Sequence, residues 1–165
     1  MIFRILALLF AALATSLLAQ DVEWEPYRKT GLFKEGNALW LAPDMAKETV
    51  AAFTTRLLNG ARTGEPRAMA TLGRFFWARG DQARGTEWLR KAAQAGHAGA
   101  QLDYGSLFAQ GLGVKADLVE AYCWLWLATW AETPGADDAL RTIIPRMEGW
   151  QIIAGTRLAA VWQRK

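Results

Sequence analysis

The sequence predicts an all-α fold, a short solenoid of helix pairs preceded by a secretory signal segment and closed by a terminal helix. Three observations carry that expectation. Two stretches of the chain repeat at offsets near 34 residues, small residues recur where helices would have to approach, and a single cysteine leaves no intramolecular disulfide to hold the fold. With 165 residues, 52% of them hydrophobic, the chain suits one compact domain with a core.

The first element is residues 1–19. Arg4 supplies a positive charge, Ile5 to Leu18 are almost wholly apolar, and the small Ala19 precedes the polar Gln20-Asp21-Val22-Glu23. That order is the one a signal peptide has, with cleavage after Ala19 or, as the alternative, after Ala14. An uncleaved membrane anchor is the competing reading, since the stretch is near the lower length limit for crossing a bilayer. No cysteine lies near the cut to carry a lipid. Cleavage removes only Arg4 from 19 basic residues, leaving 18 against 16 acidic and a net charge of +2. Export makes nucleic acid an unsuitable partner for so mildly basic a chain.

Residues 20–43 mix Trp24, Tyr27, Phe33 and Trp40 with Pro26, Gly31 and Gly36 without a period, which predicts an irregular arm laying aromatics on the first helix. The helical domain then covers residues 44–165, in about six helices. Ala46, Val50, Phe53 and Leu57 recur at four, three and four residues, one stripe of a helix with Asp44 as N-cap and Asn59-Gly60 as its end.

Beyond residue 66 the repeat appears. Ala68-Met69-Ala70-Thr71-Leu72-Gly73 returns as Ala100-Gln101-Leu102-Asp103-Tyr104-Gly105, and Trp88-Leu89-Arg90-Lys91-Ala92 as Trp124-Leu125-Trp126-Leu127-Ala128. The offsets are 32 and 36, so each unit is a pair of helices with one connection of variable length, covering about residues 66–97 and 98–132. Ala68, Gly73, Ala100 and Gly105 on the first helices, with Ala92 and Ala128 on the second, give the small contacts that let helices approach to about 8 Å. Gly96 and Gly111 suit left-handed helix ends, and Asp117 suits an N-cap. Pro145 should stop a helix near Ile144, and residues 136–163 are read as C-terminal capping helices on the rule that a terminal repeat needs a cap.

This ordered set resembles the Sel-one-like repeat family, a branch of the tetratricopeptide-like α-solenoids, over about residues 66–163. The second unit carries the family pattern at Ala100, Tyr104-Gly105, Gly111-Leu112-Gly113-Val114, Asp117, Ala121, Trp124 and Ala128. The first unit carries Ala68, Leu72-Gly73, Trp88 and Ala92, but departs in its connection. Gly80 to Trp88 is 8 residues where Gly111 to Trp124 is 13. The resemblance implies a right-handed superhelix and an adaptor of the bacterial envelope. It further implies a location in the periplasm of a Gram-negative cell, or on the inner membrane if the signal stays uncleaved, and a protein partner there.

Catalysis finds little support. His97 is the only histidine; Ser106 and Asp103 are its near neighbours in sequence, but a helix-capping or packing role suits its position better. One Cys and one His are too few for a structural zinc site, and no cofactor motif is present, because a Gly-x-Gly between helices without a preceding strand does not make a phosphate loop. Asp137-Asp138 read as helix-start caps rather than as general acid and base. A cell-wall or β-lactam hydrolase is therefore the alternative function, and relatives linked to that chemistry are rich in cysteine.

Two surfaces could bind. Tyr122, Trp126 and Trp130 form an aromatic stripe on the helix beginning at Asp117, which Ile152, Leu158 and Trp162 would otherwise cover. Arg67, Arg74, Arg79 and Arg84 belong to residues 56–91, where eight cations face three acids for a local balance of +5. That asymmetry suits an acidic protein, an anionic glycan or a membrane surface, or simply a soluble face.

Overall fold

A computed structural model describes residues 50–164, and every regular element among them is helical. The order is α1 (Val50–Arg62), α2 (Pro66–Ala78), α3 (Gln82–Gln94), α4 (Ala98–Gln110), α5 (Leu118–Trp130), α6 (Ala136–Ile143), a 3-10 turn (Ile144–Arg146) and α7 (Gly149–Trp162). Among the described residues seven α-helices thus stand where about six were expected. The signal segment, the arm and the Asp44 cap lie outside the described residues. No helix among the described residues is long and apolar enough to cross a membrane.

Helix ends follow backbone chemistry. Gly96 (φ +84°) and Gly111 (φ +71°) take the left-handed conformation that stops α3 and α4, as the sequence suggests. Asp117 caps α5, accepting from the amides of Val119 at 2.8 Å and Glu120 at 3.1 Å. The expected stop at Asn59-Gly60 is corrected: α1 runs through it to Arg62. Gly60 marks a close approach instead, since a Cβ there would lie 2.9 Å from the Ala68 Cβ of α2. Asp137 and Asp138 are corrected too. Gly135 holds the N-cap position and both acids sit in the first turn of α6, where Asp137 pairs with Arg141 at 2.7 Å. Pro145 acts as predicted, and α6 ends at Ile143.

Consecutive helices pack on one another, α1 through α5 in turn, and α5 is covered by both α6 and α7. The close contact inside each pair is the same. A Cβ on Gly73 would come within 2.6 Å of Leu89 Cγ and 2.9 Å of its backbone nitrogen. On Gly105 it would meet Leu125 Cγ at 2.9 Å and its nitrogen at 3.0 Å. Gly73 and Gly105 are 32 apart and the leucines 36 apart, so the two sequence offsets reappear as one contact made twice. Any side chain there would lever the helices of a pair apart.

The core lies between these helices. Its central part joins Trp77, Leu89, Tyr104, Leu107, Trp124 and Ala159; Phe53, Leu57, Leu72 and Phe75 fill one end, and Tyr122, Leu125, Leu140 and Ile143 the other. The longer connection, residues 111–117, is not a free loop. Leu112 and Val114 pack on the central core, and Gly113 lies so near α3 that a Cβ would stand 2.6 Å from Thr86 Oγ1.

Candidate functional site

The helix packing divides the predicted aromatic stripe. Tyr122 is buried, because Gly155 of α7 lies directly over it, 2.7 Å from a hypothetical glycine Cβ to Tyr122 Cδ1. It is therefore part of the core and not of a binding surface. Trp126 is half-buried at the edge of the central and α6 clusters. Trp130 is 71% exposed and stacks on Trp126, with centroids 5.5 Å apart and planes at 21°. The predicted cover reaches only part of the stripe: Ile152 joins the cluster around Tyr122, whereas Trp162 packs on Trp124 at 5.0 Å. Trp130, at the end of α5, stays open.

Sequence reasoning overlooked a second apolar exposure. Trp150, Ile153 and Val161 are exposed on α7. The signal was present in the composition of Gly149–Trp162, which holds more large apolar residues than one buried face can use.

The arginines also separate. Arg67 is exposed on α2, Arg79 lies over the Phe75 ring at 5.6 Å, and Arg84 lies over Phe76 at 4.5 Å while pairing with Asp81 at 2.5 Å. Arg84 holds the Asp81 carboxyl below its usual range, through its amide and then its side chain. Arg74 is not a surface cation. Its Nε donates to Asp103 Oδ2 at 2.6 Å, tying α2 to α4, and the Asp103 side chain is only 4% exposed. Burial pushes the Asp103 carboxyl up, and Arg74 opposes that rise.

The three residues nearest to a hydrolytic set are each engaged locally. His97 Nδ1 accepts from the Ala100 amide at 3.1 Å, capping α4. Burial first, and then the Arg74 charge, hold its imidazole below the usual value, which favours the neutral form that can accept. Ser106 donates to the Leu102 carbonyl at 2.8 Å within its own helix, and Asp103 serves Arg74. Cys123 is buried with its thiol pushed up to about 12 by burial, far from the thiolate a nucleophile or ligand needs. Among the described residues no three His, Cys, Asp or Glu side chains gather in a way that could hold a metal.

The repeat-defining residues are mostly structural in position. Ala68, Leu72, Ala92, Ala100, Tyr104, Ala121, Trp124 and Ala128 are buried, and Gly73 and Gly105 form the contacts described above. Trp88 is the exception, half-buried under the Lys91 ammonium at 4.6 Å. Compared with known proteins, the chain matches no family model and no curated protein.

Proposed function

We propose that this chain is an exported, periplasmic scaffold, a short right-handed α–α solenoid of Sel-one-like helix pairs that binds another protein. The observation that carries the reading is Trp130, a large side chain left 71% exposed and stacked on Trp126 at the open end of α5. An indole held rigid by its neighbour loses little conformational entropy on binding, and such tryptophans are the usual anchors of protein interfaces. The repeated Gly–Leu contact supports the family resemblance, and α6 and α7 stand where a repeat array needs a cap. The fold alone does not identify the activity.

The test is affinity capture from a bacterial envelope extract with the native chain and with Trp130→Ala. The removed side chain is mostly exposed, so helicity and stability should hardly change. A protein retained by the native chain and lost by the variant supports the scaffold reading. Identical capture by both proteins rejects this surface.

A further inference from the structure

The first three helices carry cations over aromatic rings. Arg56 lies over Phe53 at 5.2 Å, Arg79 over Phe75 at 5.6 Å, Arg84 over Phe76 at 4.5 Å and Lys91 over Trp88 at 4.6 Å. The rings beneath are themselves connected: Phe53 and Phe75 are 6.3 Å apart, Phe75 and Phe76 are 5.7 Å apart, and Phe76 and Trp88 pack against the same cluster. The result is one strip of cations crossing α1, α2 and α3, over rings of which Phe53 and Phe75 are buried and Phe76 and Trp88 half-buried. Asp81 and Glu87 take up part of its charge through Arg84, Arg90 and Lys91, and residues 56–91 carry a formal balance of +5, from which the Arg74 charge is withdrawn by Asp103.

A ligand matching this strip needs several carboxylates interleaved with aromatic rings, and this chain contains such a segment. Asp21-Val22-Glu23-Trp24-Glu25-Pro26-Tyr27 has three carboxylates, two aromatic rings and no cation in seven residues. We propose that this acidic segment docks on the α1–α3 strip of its own chain, with its carboxylates toward Arg79, Arg84 and Lys91 and Trp24 against the half-buried Phe76 and Trp88 rings. Reach does not limit the contact. Residues 28–49 can extend up to about 3.5 Å each, roughly 75 Å, whereas three neighbouring helices at about 10 Å spacing occupy roughly 30 Å. Tethering gives the segment an effective concentration on the order of millimolar, so weak exposed pairs suffice. This contact is independent of the Trp130 surface, and either can fail without the other.

The experiment places the photo-cross-linking residue p-benzoylphenylalanine at position 24 of the full chain and maps its products by mass spectrometry. Cross-links within one chain to peptides spanning residues 75–91 are expected. Their yield should fall about tenfold in 1 M salt, where the screening length shrinks to about 3 Å. It should fall similarly when Asp21, Glu23 and Glu25 are changed to Lys, and return when Arg79→Glu and Arg84→Glu are added to that variant, with helicity monitored throughout. Cross-links to α4–α7, a yield indifferent to salt and charge reversal, or products only between differently labelled chains would each overturn the proposal. So would capture of the native chain by anionic lipid vesicles through Arg79 and Arg84 with no internal cross-link, which would assign the strip to a membrane surface.

Discussion

Trp88 and Trp124 are 36 residues apart and occupy the same place on the second helix of their pairs, yet their surroundings are opposite. Trp124 is 2% exposed, donates from Nε1 to Glu120 at 3.0 Å, and lies 5.5 Å from Tyr104 and 5.0 Å from Trp162. Trp88 has Lys91 over one face and is only half-buried. The difference comes from the next layer. α5 is covered by α6 and α7, whereas Trp88 sits at the edge of the smaller core that α3 shares with α1 and α2. A repeated sequence position therefore repeats its contact inside the pair, while its burial is set by whatever stacks outside. The same difference leaves the first pair with a charged and aromatic exterior and turns the second into core.

Removing each indole is the strongest way to break this comparison. Trp124→Ala empties a fully packed site and should cost about 3–5 kcal/mol, whereas Trp88→Ala should cost less, about 2–3 kcal/mol, because part of its surface is already in water. Urea denaturation of both variants measures the gap. Equal losses would show that Trp88 is covered by something outside the described residues, and that outcome would point to the aromatic arm.

The shared contact gives the next test. Gly73→Ala and Gly105→Ala each gain up to about 1 kcal/mol of helix propensity but force a methyl group onto a leucine and its backbone nitrogen. Overpacking of that kind costs about 1–3 kcal/mol, so both variants should be destabilised. Gly73 should suffer more, since its approach to Leu89 Cγ is 2.6 Å against 2.9 Å at Gly105. Thermal melts that put either variant above the native protein would remove the close-packing explanation for these glycines.

How far these features were legible in the sequence depends on how local they are. Helix ends at Gly96, Gly111 and Asp117 were readable because a positive φ or an N-cap is a property of a few neighbouring residues. The repeat was readable because one contact, Gly with Leu, imposes the same spacing twice. Gly60 misled, since a glycine needed for approach to Ala68 looks in sequence like a glycine that ends a helix. The binding candidates were the least legible. Whether Arg74 faces solvent or Asp103, and whether Tyr122 or Trp130 lies under α7, depends on partners 29 or more residues away or on where the covering helix stops. A one-dimensional pattern places these side chains on a helix face, but it does not say which helix comes next.

The smallest expected effect concerns the caps, which differ within and between the pairs. Asp81 and Asp117 open the second helices of the pairs, whereas His97 opens α4 at the junction between them. The Asp81 carboxylate is held below its usual range by Arg84 and so goes on accepting into acid. His97 is different, because protonation of Nδ1 removes the lone pair that takes the Ala100 amide. Its folded value lies below the ordinary 6.5, so its contribution is present above that pH and is lost as the pH falls through the lower, folded value. His97→Asn keeps a capping acceptor without titrating. The native protein should therefore lose up to about 1 kcal/mol relative to His97→Asn between pH 7 and the acid side of that transition, the size of one N-cap. Asp103 and Glu120, both raised mainly by burial, stabilise the fold in the opposite direction as the pH drops, but they are present in both proteins and cancel in the difference. Denaturation of the pair across this range is the measurement. Parallel pH profiles would mean that the junction between the repeats does not depend on the His97 cap, and that the Arg74–Asp103 pair and the packing of α3 on α4 hold it.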